Sequence, residues 1–174
     1  MKKIFVVLFA LVVLVTPYAE AKTCYGISCN YIDAATNSGF ASNGAYWTYD
    51  PGVTFPTETS CYSSKVAELD NGEAIWRFPF IDAAYSSYKL SFRAYLPGDT
   101  NNFYDELTVT VTNRDTGVSE SMVLHGSSYD THCGSNQFYL ANDYDYADVL
   151  VVFESGGFSN HKWQIDDVGF WAYH

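Results

Sequence analysis

The feature that most restricts this chain is a two-residue rhythm of apolar and polar side chains. From Glu106 to Thr112, Leu107, Val109 and Val111 alternate with Thr108, Thr110 and Thr112. Neighbouring side chains on an extended strand point to opposite faces, so this spacing predicts a half-buried strand. Tyr88 to Tyr95 repeats the pattern, with Leu90, Phe92 and Ala94 on one face and Lys89, Ser91 and Arg93 on the other. From Asp148 to Phe153 both faces are apolar: Val149, Val151 and Phe153 on one, Leu150 and Val152 on the other. That predicts a strand in the middle of a sheet. Further strands are expected near Tyr46–Tyr49, Val66–Leu69, Ala74–Phe78, Met122–Leu124, Phe138–Leu140 and Trp163–Tyr173.

Turn residues separate these segments. Asp50-Pro51-Gly52, Asp70-Asn71-Gly72, Pro97-Gly98-Asp99, Asp115-Thr116-Gly117 and Ser155-Gly156-Gly157 all supply positive or proline-fixed φ at low cost. About nine short strands with no helices between them predict an all-β fold, an antiparallel β-sandwich or jelly roll. No internal repeat or interdomain linker interrupts the pattern, so one domain is expected.

The N-terminus reads differently. Lys2 and Lys3 precede an apolar run from Ile4 to Val15, and Ala19-Glu20-Ala21 offers a small-x-small cleavage site. This is the pattern of a secretory signal peptide, here residues 1–21, and the apolar run is too short for the roughly 20 residues a bilayer requires. The expected mature domain is residues 22–174, exported to the extracellular space or a periplasm. Cleavage would remove two of nine basic and one of twenty acidic residues, moving the formal charge from −11 to −12. So acidic a chain repels phosphate backbones and anionic membranes, which argues against nucleic acid as a partner, and with no second apolar run no membrane insertion is expected after cleavage.

Four cysteines, Cys24, Cys29, Cys61 and Cys133, remain in the expected mature chain. An even number in an exported protein implies disulfides, with three possible connectivities. The favoured one joins Cys24 to Cys29 locally and Cys61 to Cys133 over a long loop, worth about 4 kcal/mol by loop-closure entropy. A zinc site is the competing reading, but no Cys-x-x-Cys pair supports it.

The closing segment, Trp163-Gln164-Ile165-Asp166-Asp167-Val168-Gly169-Phe170, carries the most information. Ile165 and Val168 are both natural core residues, yet three-residue spacing puts them on opposite faces of a regular strand. A β-bulge at Asp166-Asp167 would bring both inward and turn a carboxylate outward. The string resembles the closing strand of galactose-binding-like jelly rolls, a superfamily that includes MAM domains and several carbohydrate-binding module families. Asn37-Ser38-Gly39-Phe40 followed by Trp47 resembles its opening strand, Tyr88-Lys89-Leu90-Ser91-Phe92-Arg93-Ala94 its central strand, and Asp105-Glu106-Leu107-Thr108-Val109 the next. The resemblance spans residues 37–173 and implies a non-catalytic recognition module, with a structural calcium in many relatives. Ala41 stands where an acidic calcium ligand is expected. Asp166, with Asp33, would then carry the metal, and the alternative is that Asp166 and Asp167 cap the bulge through backbone N–H groups.

Aromatic residues are abundant, with 15 Tyr, 12 Phe and 4 Trp. Such rings either pack a sandwich core or stack on the C–H faces of sugars, with neighbouring amides and carboxylates orienting the hydroxyls. The loops 97–105 and 142–148 mix these residue types. Asp99, Asn101, Phe103, Tyr104, Tyr144 and Tyr146 of these loops, with Trp47 and Tyr49 at a strand end, are the candidate ligand-binding set. No Gly-x-Ser-x-Gly or His-Glu-x-x-His motif and no phosphate-binding glycine loop is present. The expectation is a secreted glycan-binding protein without catalytic activity. An adhesive extracellular protein that binds another protein is the alternative, and a small hydrolase built on paired carboxylates is a third.

Overall fold

The computed structural model describes residues 23–24, 27–31, 40–57, 65–98, 104–129, 133–157 and 160–173. Among these residues eleven strands form two antiparallel sheets. They are β1 (Thr23–Cys24), β2 (Ile27–Tyr31), β3 (Thr48–Tyr49), β4 (Ala67–Leu69), β5 (Ala74–Arg77) and β6 (Ser87–Tyr95), then β7 (Glu106–Asn113), β8 (Ser119–His125), β9 (Gly134–Leu140), β10 (Val149–Gly156) and β11 (Trp163–Tyr173). One sheet runs β1-β2-β11-β6-β9, with β4 also paired to β11; the other runs β3-β5-β10-β7-β8. The expected antiparallel β-sandwich is the fold.

The two-residue rhythm sets what faces inward. Leu107, Val109 and Val111 of β7 and Val149, Val151 and Phe153 of β10 are buried, as are Leu90, Phe92 and Ala94 of β6 from the facing sheet. Aromatic rings bridge the two layers: Phe92 meets Phe153 edge-on at 5.1 Å, and Trp47 lies 5.3 Å from Phe40 and 6.3 Å from Phe153. Edge and tilted contacts set ring hydrogens against the negative faces of neighbouring rings. β10 is central, between β5 and β7, as its two apolar faces predict.

The bulge in β11 is present. Its register against β6 shifts between Asp166 and Gly169, and Ile165 and Val168 are both buried. Asp167 adopts φ 49° and turns its carboxylate outward, 3.6 Å from Arg93 Nε. The Asp166 carboxylate is buried and accepts the Asp167 N–H at 2.7 Å, which is the capping arrangement.

Several expectations fall on residues outside this description: the signal peptide, Asp33, Cys61 and the side chains of Cys24 and Cys29. Cys133, just before β9, is disulfide-bonded.

Candidate functional site

Beyond Arg77 the β5 chain stays extended and keeps its pairing with β10. Val151 is opposite Arg77, and the same register sets Phe80 opposite Asp148. The Val149 N–H donates to the Pro79 carbonyl and the Ile81 N–H to the Ala147 carbonyl, both at 3.0 Å. Pro79 offers no N–H, yet its carbonyl holds the ladder. Alternation therefore continues through the proline. Ile75, Pro79 and Ile81 point to the core, while Trp76, Phe78 and Phe80 point out of the sheet. Phe78 is 46 % exposed and Phe80 63 %.

The outer face of the β3-β5-β10-β7-β8 sheet is built in rows by this register. Thr48, Trp76, Val152, Thr110 and Ser121 cross it in one row. Phe78, Leu150, Thr112 and Ser119 form the next, and Phe80, Asp148 and Arg114 the one after. Along a strand, successive outward residues lie about 6.7 Å apart, and neighbouring strands about 4.8 Å. The result is an aromatic ridge, Trp76-Phe78-Phe80, beside a field of threonine and serine hydroxyls.

The hydroxyls pair across strands, Thr110 with Ser121 at 3.0 Å and Thr112 with Ser119 at 2.8 Å. Each leaves further lone pairs for a ligand. Arg114 stacks its guanidinium over Phe78, 4.9 Å from the ring centre, and hydrogen bonds Asp148 at 2.5 Å. His125 and Glu106 meet at 3.3 Å at the far edge. Charges on this face come mostly in opposite pairs. Such a surface can stack on the apolar faces of sugar rings while hydroxyls and the Arg114–Asp148 pair hydrogen bond their rims.

The sequence-predicted binding residues are dispersed. Trp47 and Tyr144 are corrections: both belong to the core rather than to a ligand-facing loop. Trp47 is enclosed by Phe40 and Phe153, with Arg77 over its ring. Tyr144 is wholly buried and donates to the Glu120 carboxylate at 3.1 Å. Burial first, and then the Glu120 charge, hold its phenol well above the usual range. Tyr49 packs edge-on against Phe55 at 5.1 Å. Tyr104 and Tyr146 are exposed on separate loops, and Asp99, Asn101 and Phe103 lie outside the described residues. Trp76, Phe78 and Phe80 were missed, although their spacing of two along the chain was the available signal.

Of the expected calcium ligands, Asp166 is among the described residues and its carboxylate is buried, where calcium needs six to eight oxygens. Among the described residues no group of three or more His, Cys, Asp or Glu is placed to hold a metal. A separate cleft of about 220 Å³ opens at one end of the sandwich, lined among others by Tyr85, Ser87, Leu140, Asp143 and Asp145. The Asp145 carboxylate accepts from the Tyr85 N–H and the Tyr88 hydroxyl.

No family model matches the chain, and no curated protein does. Solved structures match its fold. A family 61 carbohydrate-binding module in complex with β-1,4-galactotriose superposes with a TM-score of 0.60 at 12 % identity, covering 78 % of this chain and 94 % of that one. A family 16 carbohydrate-binding module gives 0.57 at 16 %, covering 81 % and 99 %. A family 28 module specific for non-crystalline cellulose gives 0.53 at 11 %, covering 78 % and 92 %. The architecture is the β-sandwich of these carbohydrate-binding modules. This chain has that fold, in agreement with the resemblance of its closing strand.

Proposed function

We propose that the protein is a non-catalytic glycan-binding module that holds a neutral, extended polysaccharide on the outer face of the β3-β5-β10-β7-β8 sheet. The observation that carries this reading is the line of Trp76, Phe78 and Phe80 beside the Thr/Ser rows, with Arg114 paired to Asp148. Rings in line suit a linear chain of pyranose rings, and largely paired charges suit a ligand without charge. The neighbours bound to β-1,4-galactotriose or specific for non-crystalline cellulose supply the ligand class to test first. Export through the N-terminal segment and a Cys61–Cys133 disulfide belong to the same reading.

Affinity electrophoresis in gels containing β-1,4-galactan, xylan or amorphous cellulose tests it. Retardation by at least one polymer, abolished in Phe78→Ala/Phe80→Ala with an unchanged melting temperature, is the expected result. Equal mobility in all three gels and in their absence would remove the proposal. A second reading, a surface that binds another protein, draws on the exposed apolar side chains Phe78, Phe80 and Val123. Concentration-dependent sedimentation with no polysaccharide retention would favour it.

A further inference from the structure

The opposite face of the sandwich carries a different chemistry. On the outer side of the β1-β2-β11-β6-β9 sheet, Lys89 of β6 stands between Tyr139 of β9 and Trp171 of β11, its direct partners in register. Its ammonium lies 5.8 Å from the centres of both rings and 5.4 Å from that of Tyr173. Hydrogen bonds fix the surround. Trp171 Nε1 donates to Ser91 Oγ at 2.8 Å, and the Tyr139 hydroxyl donates to Gln137 Oε1 at 2.7 Å. Tyr139 is 67 % exposed, so its ring remains open to a ligand.

Lys89 is also distinctive in charge. The chain is strongly acidic, with twenty Asp and Glu against nine Lys and Arg. Arg93, Arg114 and Lys162 all have carboxylate partners. Lys89 instead meets three ring faces, with no carboxylate within ion-pair distance among the described residues. Ring faces attract the ammonium and hold it in place, but they do not neutralise it or take up its three N–H donors. The acidic end cleft is lined by Ser87 and Leu140 together with Asp143 and Asp145. Its Asp145 already accepts two donors, and Asp143 accepts the Asp145 N–H at 2.8 Å.

We infer that this cluster is a second binding site, separate from the aromatic ridge, for an anionic sugar residue. The sugar ring stacks on Tyr139, and its carboxylate or sulfate takes the Lys89 ammonium. Both sources present the same chemistry, an anion beside a pyranose face.

Isothermal titration with a tetragalacturonide, a sulfated galactan oligosaccharide and a neutral galactotetraose separates the possibilities. One or both anionic probes should bind at least tenfold more tightly than the neutral one, and more weakly at 0.5 M than at 0.05 M salt. Lys89→Gln should remove that preference, Lys89→Arg should keep most of it, and Tyr139→Ala should weaken all binding at this face. Phe78→Ala/Phe80→Ala should leave the anionic probes unaffected, which distinguishes failure here from failure of the ridge. Equal affinity for anionic and neutral probes, or an anionic preference that survives Lys89→Gln in a folded protein, overturns the inference.

Discussion

Arg114 lies over the ring of Phe78, 4.9 Å from its centre, and reaches past it to hydrogen bond Asp148 at 2.5 Å. One side chain thus pins an exposed ring and closes an ion pair on the same face. Both contacts are solvent-exposed, so Arg114→Ala should lower stability by less than about 1 kcal/mol. Polysaccharide retention should fall severalfold, because the ring loses its fixed orientation. Arg114→Lys should restore little, since an ammonium has no planar face to lay on the ring. Gel retardation read beside melting temperature checks both halves.

Position along the alternation decides what loss of a ring costs. Phe153→Ala should destabilise by about 3–5 kcal/mol, because Phe153 is fully buried against Trp47 and Phe92. Phe80→Ala, whose ring is mostly in solvent, should stay within about 0.5 kcal/mol. Urea unfolding of the two variants makes the comparison, and a similar loss in both would contradict the outward placement of Phe80.

Glu120 predicts an acid response. Burial pushes its carboxyl up, but the Ala141 and Asn142 N–H groups, the Asn142 side chain and the Tyr144 hydroxyl outweigh that and hold it below its ordinary value. The unfolded chain therefore takes up this proton more readily than the folded one. Stability from this group is present above the ordinary Glu value, about pH 4.3, and is lost as pH falls through the lower folded value. Glu120→Gln should show a shallower decline than wild type in that window, followed by thermal melts from pH 6 to pH 3.

Two backbone positions should restrict which residues they accept. Asp167 sits at φ 49° in the bulge, so Asp167→Gly should be nearly neutral and Asp167→Val should cost about 1–2 kcal/mol. Gly157 has φ +137°, and an added Cβ would lie 2.5 Å from Asp105 Oδ1 and 2.8 Å from the Tyr104 carbonyl. Gly157→Ala should cost more than about 1 kcal/mol. Chemical denaturation of the three variants tests the backbone geometry at both sites.

The framework was legible because the strongest strands, β6, β7 and β10, write their inward faces directly as alternation, and the Ile165–Val168 spacing demanded a bulge. The site was less so. Trp47 and Tyr144 sit in polar, turn-rich stretches, yet the tertiary fold pulls both rings inward, something local pattern does not encode. At Trp76, Phe78 and Phe80 the pattern was written in the sequence. The strand was expected to end at Phe78, whereas the Pro79 carbonyl lets the pairing run on to Phe80. Lys89 was placed on the outer face, but its three ring neighbours come from strands distant in sequence.

The aromatic ridge and the lysine cluster lie on opposite sides of one sandwich, with the whole hydrophobic interior between them. Ligands held on the two sides would be kept apart by that interior. Each copy of the protein would then act as a rivet, fastening a neutral strand to an acidic one. A dilute solution of two such polymers should thicken when the protein is added, and thin again when either surface is disabled.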